Sequence, residues 1–236
     1  MKRTRFAEEQ ITGILRRVVA EAVGTALLLT AVVGSGIMGE RLAGGNLAVV
    51  LLANSLATGA TLVILILIFG EVSGAHFNPA VTLVLGRRAN MSWGQILYYM
   101  IAQVLGAMGG VWIAHAMFGE PILMVSSHVR EGYPQIFAES IATFGLLLTI
   151  LSCVRNHPRA VPAAVGLYIM AAYWFTASTS FANPAVTLAR GLTDTFTGIR
   201  PQDIPGFIVA QLIGAIFAMF LFRFLFPDKD CSQESL

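Results

Sequence analysis

Two hexapeptides carry the most distinctive chemistry in the chain: Asn78-Pro79-Ala80-Val81-Thr82-Leu83 and Asn183-Pro184-Ala185-Val186-Thr187-Leu188. Asn is a strong helix N-cap, and Pro suits the first helical turn because its missing N–H leaves no donor unpaired. Each hexapeptide therefore starts a helix, with an Asn oxygen capping the backbone and an Asn amide pointing outward. The apolar runs that follow end near Gly86 and Gly191, too short to cross a bilayer core. Two such half-helices meeting head to head bring their positive dipole ends together. The chemistry on offer is recognition without reaction. Amide donors sit at the meeting point, and carbonyls of Gly74, Ala75, His76 and Phe77, with those of Thr179, Ser180 and Phe181, form a ladder of acceptors. Such a lumen suits small neutral hydroxylated molecules and resists cations and protons.

Glu21 and Glu139 are carboxylates inside apolar stretches. Their symmetric placement predicts that they brace the irregular loops by accepting backbone N–H groups, since unpaired backbone at membrane depth is expensive; a proton relay is the alternative. Gln103 and Gln211 read as polar glue between helices. His76 reads as a brace for the first loop, with pH gating as the alternative. The remaining histidines are scattered without zinc-like spacing, and Cys153 and Cys231 form no framework. No nucleophile, base and oxyanion set is evident. Neither a metal, a cofactor nor an enzymatic activity is expected.

The elements that must hold these groups are membrane helices. Of 236 residues, 56% are hydrophobic and only 12% charged, against about 25% charged in soluble domains. That composition excludes a disordered chain, a nucleic-acid binder and an ordinary soluble enzyme. Six apolar stretches, at about 15–38, 47–69, 95–117, 136–154, 161–178 and 206–226, predict six spans. The first is read as a retained helix, because Glu8, Glu9 and Glu21 interrupt any signal-peptide pattern. Most of the 15 Lys and Arg residues fall on the side of both termini, among them Arg16, Arg17, Arg87, Arg88, Arg155 and Arg159. The positive-inside rule then places both termini in the cytoplasm of an inner-membrane protein. Arg41, Arg130, Arg190 and Arg200 fall on the opposite side.

The chain also repeats itself. Besides the hexapeptides, Glu21 with Thr25 matches Glu139 with Thr143, and Ala102-Gln103 with Gly106-Ala107 matches Ala210-Gln211 with Gly214-Ala215. Each half has three spans, so the second enters from the opposite side: an inverted 3+3 repeat. The expected organisation is an all-α membrane protein of six transmembrane helices and two re-entrant half-helices. A cytoplasmic segment covers 1–14, a channel domain 15–226 with halves at about 15–117 and 136–226, and a cytoplasmic tail 227–236.

Ser73-Gly74-Ala75-His76-Phe77-Asn78-Pro79-Ala80-Val81-Thr82, the second Asn-Pro-Ala, the paired Glu residues and the Ala-Gln-x-x-Gly pairs resemble the signatures of the aquaporin family, the major intrinsic proteins. The resemblance covers about 15–226. It implies one pore per chain, a homotetramer in the bilayer and passage of small neutral solutes. Family members usually carry Arg directly after the second Asn-Pro-Ala, where this chain has Val186. Matching the other constriction positions gives Thr58, Ser180 and, on span five, Tyr173 or, by a second count, Ala171, with Tyr173 preferred. The resemblance extends to a bacterial subgroup associated with arsenic resistance, which implies passage of arsenite as neutral arsenous acid, and of methylated arsenicals. An ordinary water or glycerol channel, a coupled transporter, an intramembrane enzyme and a structural junction protein are the competing readings. Arg190, one turn beyond Val186, is expected either to line the outer vestibule or to cap its own half-helix.

Overall fold

The computed structural model describes residues 2–227, with side chains from residue 12 onward. Most of the expected cytoplasmic tail, including Lys229 and Cys231, lies outside the described residues, as do the side chains of Lys2, Arg3, Arg5, Glu8 and Glu9. Eight helices follow in order: α1 (Lys2–Leu42), α2 (Leu47–Ser73), α3 (Pro79–Arg88), α4 (Trp93–Phe118), α5 (Tyr133–Asn156), α6 (Val161–Phe175), α7 (Pro184–Arg190) and α8 (Ile204–Leu225). No strand occurs among the described residues. The backbone of α1 starts well inside the segment assigned to 1–14, so that segment is helical from Lys2 and continuous with the first span.

Five stretches are long and apolar enough to cross a membrane: Thr12–Leu42, Leu47–Ser73, Trp93–Phe118, Tyr133–Asn156 and Pro201–Leu225. The remaining expected span, the fifth in order, is shorter than the sequence suggests. Helix α6 has 15 residues, about 22 Å at 1.5 Å per residue, against a core of about 30 Å. It stops at Phe175 rather than continuing to residue 178, because Thr176 takes an extended conformation while its hydroxyl bonds back to Ala172 O at 2.6 Å. The chain leaves the helix there to build a loop inside the protein.

Local chemistry explains the ends of several elements. Asn46 caps α2 by accepting from the Ala48 and Val49 amides. Ser92 and Gln95 form a reciprocal capping box at the start of α4. Asn78 and Asn183 cap α3 and α7, each with Pro in the first turn. The two short helices span about 15 and 10 Å.

The halves pack by the same contacts. Helix α1 lies against α4 and α2, and α5 lies against α8 and α6. A Cβ added at Gly106 of α4 would meet Ala22 O of α1 at 2.2 Å, and one at the matching Gly214 of α8 would meet Ser140 O of α5 at 2.2 Å. Small residues here let the backbones approach beside Glu21 and Glu139. Where the halves meet, α2 crosses α6 at Gly59 and Gly166, each too close to the other's carbonyl to carry a Cβ. The helix ends repeat too. Arg41, in the last turn of α1, donates to Phe118 O at 2.7 Å after stacking on that ring, and Arg155, in the last turn of α5, does the same to Phe226 O at 2.6 Å. The short helices α3 and α7 touch each other and both wedge against α4 and α8. They are thereby held between the halves, N-terminus facing N-terminus.

Candidate functional site

The two loops that lead into α3 and α7 have the same backbone. Gly74, Ala75 and Phe77 have positive φ (89°, 50° and 49°), and the matching Thr179, Ser180 and Ala182 do too (61°, 51° and 47°). The side chains differ, so the shared conformation belongs to the backbone. Left-handed φ at a non-glycine residue carries a strain of order 1–3 kcal/mol and persists only where the surroundings over-determine it.

The buried carboxylates do the determining. Glu21 accepts from the amides of His76 (3.0 Å) and Phe77 (2.7 Å), from Ser73 Oγ (2.6 Å) and from Gln103 Nε2 (2.7 Å). Glu139 accepts from the amides of Phe181 and Ala182, both at 2.9 Å, and from Gln211 Nε2 at 2.6 Å. Each Gln also donates to a threonine of the adjacent half-helix, Gln103 to Thr82 and Gln211 to Thr187. Both carboxylates are fully buried, so the charge-assisted bonds act in a low-dielectric setting. The His76 ring lies 3.2 Å from Thr82 Oγ1 through Nδ1 and tilts against Tyr99.

Asn78 and Asn183 then clamp the loops to each other. Asn78 Oδ1 accepts from Ala80 N, while its Nδ2 donates to Ala182 O at 2.7 Å. Asn183 Oδ1 accepts from Ala185 N, while its Nδ2 donates to Phe77 O at 2.8 Å. Each amide uses one N–H on the opposite loop and, among the described residues, keeps its second without a protein acceptor. Of the carbonyls proposed from sequence, that of Phe77 is thus engaged by Asn183.

A cavity of about 830 Å³, including its open mouths, runs past this clamp. Gly74, Ala75, His76, Phe77, Asn78, Ser180, Phe181 and Asn183 line it. Thr179 does not: its amide turns back onto Thr176 O at 3.1 Å, and Ala182 contributes lining in its place. Pro79, Ala80, Pro184 and Ala185 are buried behind the asparagines.

On the α7 side of the clamp, Thr58, Tyr173, Ser180 and Val186 all face the cavity. Tyr173 OH donates to Thr58 Oγ1 at 3.2 Å, tying α6 to α2. Ser180 Oγ is buried without a protein partner. Ala171 is exposed on the outside of α6, two residues from the inward-facing Tyr173. No charged side chain stands at this level. On the α3 side the lining is apolar, with Val81, Leu85, Leu146, Ile150, Val154 and Val161.

Arg190 lines the cavity one turn beyond Val186 and is only 2% exposed. It does not bond the last carbonyls of α7, which Gly191, Leu192 and Ile199 amides already occupy. Its Nε donates to Thr197 O, and its guanidinium lies over the Phe181 ring. The matching position on α3 is Leu85, so the repeat is broken here.

Sequence reading missed Arg130. It lies in the loop between α4 and α5, counted there only as one of four cations on its side, yet it is 8% exposed with its guanidinium 5.0 Å from the Phe181 centroid. Nothing in the Ser-Ser-His-Val-Arg-Glu-Gly stretch marks it as buried. The loop is folded inward by contacts of its backbone: Ser126 N to Gly191 O, Arg200 N to His128 O, and Arg130 N to Asp203 Oδ2.

The family profile described as MIP, Major intrinsic protein, matches residues 8–175 and 156–235. The chain is 56% identical over 212 residues to aquaglyceroporin AqpS of Rhizobium meliloti (strain 1021), spanning 90% of this chain and 91% of that one. It is 31% identical over 210 residues to aquaporin NIP2-3 of Zea mays, spanning 85% and 67%. The X-ray structure of the aquaglyceroporin from Plasmodium falciparum superposes with a TM-score of 0.71 at 24% identity, covering 91% of this chain and 98% of that one, a likeness of fold. Two inverted halves, two asparagine-capped half-helices and a cavity between them thus agree with the sequence match, and the chain belongs to the major intrinsic protein family, membrane channels rather than enzymes.

Proposed function

We propose that the chain is an aquaglyceroporin-like passive channel whose lumen is the cavity between the two loops. Its solutes are small and neutral: polyols such as glycerol, water, and metalloid acids, with arsenous acid and methylated arsenicals as the favoured class. The observation that carries this is the level formed by Thr58, Tyr173, Ser180 and Val186. It offers three hydroxyl groups and one isopropyl group, and none of its four side chains is charged. A solute with several hydroxyls and a compact apolar face matches such an amphipathic opening, and arsenous acid and glycerol share that shape. The spare N–H of Asn78 and of Asn183 would replace water as donors at the centre. Selectivity by that level, loop bracing by Glu21 and Glu139, and placement of Arg190 in the vestibule all belong to this reading.

The reading also includes a channel domain over 15–226, a homotetramer in the inner membrane and both termini in the cytoplasm. The paired half-helices are wedged between both halves, which favours a fixed pore over alternating access. Stopped-flow swelling of proteoliposomes with glycerol and with arsenite tests the proposal. It predicts rapid, non-saturating flux of both, independent of any ion gradient. Saturable uptake that needs sodium or a proton gradient would overturn it. Flux of water and glycerol without arsenite would remove the metalloid class and leave an ordinary polyol channel.

A further inference from the structure

At one end of the cavity Arg190 stands in the wall and a second guanidinium, Arg130, lies behind it on the Phe181 ring, charges that a neutral-solute lumen does not require. Arg190 rests on Thr197 O, and Arg130 Nε donates to the neighbouring Gly198 O at 2.7 Å, with Nη1 and Nη2 3.3 Å from Ser178 O and Phe196 O. Both press on the same ring, Phe181, with Cζ at 3.4 Å for Arg190 and 5.0 Å for Arg130. Cation–π contact and carbonyl oxygens hold these groups in place but do not neutralise them.

The fixed counter-charge is incomplete: Glu139 attracts both guanidinium groups, one carboxylate for two cations. Among the described residues neither arginine makes an ion pair. Of the other carboxylates, Glu131 and Asp203 pair with Arg200, while Asp194 and Glu40 are tied to the Ser127 and Phe196 amides. Among the described residues Arg190 Nη1 and Nη2 meet no protein acceptor, and the buried Ser180 Oγ, which also lines the cavity, has no partner there either. Two buried cations that share one carboxylate leave an excess of positive charge, which a small anion entering the cavity would complete. The neighbouring His128 adds no third charge at neutral pH, because burial and then Arg130 and Arg190 push its pKa down.

We propose that Arg190 and Ser180, with the charge of Arg130 behind them, form a binding site for a small monovalent carboxylate or oxyanion at this mouth of the cavity. A planar anion can take the Arg190 fork in two parallel hydrogen bonds and accept from Ser180. The site does not depend on which neutral solute the channel conducts, since it is read by binding and not by flux.

The test uses the purified full chain in detergent with [13C]formate as probe, reading line broadening by NMR. Wild type should broaden the formate signal saturably, and unlabelled formate should reverse this. Formamide, the neutral isostere, should not compete. Arg190→Gln should weaken binding by roughly tenfold or more, the loss of a charge-assisted pair, Arg190→Lys should keep part of it, and Arg130→Gln should weaken binding less, through loss of the charge behind the site. Circular dichroism and gel filtration establish that each variant is folded. No saturable broadening by wild type overturns the proposal without any variant. Competition by formamide equal to that by formate, or full binding by folded Gln variants, overturns it as well.

Discussion

Replacing Glu139 by Gln removes one oxygen atom and one charge and leaves the side-chain volume unchanged. Glu139 Oε2 serves both Ala182 N and Gln211 Nε2, whereas Oε1 serves Phe181 N alone. The better amide orientation therefore keeps its oxygen at the Oε2 position and turns its NH2 toward the Phe181 amide. One buried N–H is then orphaned against another donor, at about 1–3 kcal/mol. The two remaining bonds lose their ionic character, at about 1 kcal/mol each. The sum is about 3–5 kcal/mol, well above the ~0.6 kcal/mol average for neutral inter-helix hydrogen bonds in membranes. It falls on a loop holding Thr179, Ser180 and Ala182 at positive φ, so part of it appears as loop relaxation, which narrows or closes the lumen. Thermal unfolding in detergent should show a clear drop in midpoint, and proteoliposomes should lose most glycerol flux. Glu21 accepts four hydrogen bonds in place of three, so Glu21→Gln should be at least as severe. A Glu139→Gln protein that melts with wild type and conducts normally would refute the bracing argument. Normal stability with altered pH dependence of flux would instead point to a proton relay.

Three further outcomes follow from local geometry. Gly214→Leu places a side chain where even a Cβ would lie 2.2 Å from Ser140 O, so α5 and α8 must separate and folded yield in membranes should collapse; wild-type yield would contradict the close packing. Tyr173→Ala should change the ratio of glycerol to water flux while Ala171→Leu should not, since Ala171 faces outward; equal effects would contradict the orientation of α6. Hydrogen bonds from the Ser127 amide and then its hydroxyl hold Asp194 below its ordinary pKa of 3.8. A depressed carboxyl stabilises above its unfolded pKa and loses that contribution only as pH falls through the folded value. Amide exchange at Ser127 should therefore remain slow at about pH 5 and quicken only in stronger acid, and early loss would contradict the tether.

The parts of the site that are legible in the sequence are those that occur twice. Asn78 and Asn183, Glu21 and Glu139, and Gln103 and Gln211 each serve a hydrogen-bond geometry that both halves must satisfy, so the same residue types recur. The backbone of the two loops repeats just as closely, yet Gly-Ala-His-Phe and Thr-Ser-Phe-Ala share no residues at matching positions. That symmetry is hidden because a carboxylate two helices away imposes it. The premature end of α6 is hidden for a related reason: Thr176-Ala177-Ser178 brings no charge, Gly or Pro to stop a span, and the extended turn at Thr176 depends on Glu139 and Arg130 receiving the loop beyond. Arg130 and the inward turn of Arg190 depend on carbonyls of residues 196–198. A loop that folds over a vestibule leaves no periodicity to read, and these residues have no copy in the other half.

The proposed selectivity turns on the side chain at position 186, and one measurement addresses it directly: stopped-flow permeability of proteoliposomes to water, glycerol and arsenite, for wild type and Val186→Arg. The variant places a guanidinium between Ser180, Tyr173 and Thr58, narrowing the level and filling its apolar side. Flux of glycerol and arsenite should fall steeply while water flux persists or changes much less. Equal loss for all three solutes, or undiminished flux of the two larger ones, would contradict the claim that an uncharged, open level at Val186 sets what passes.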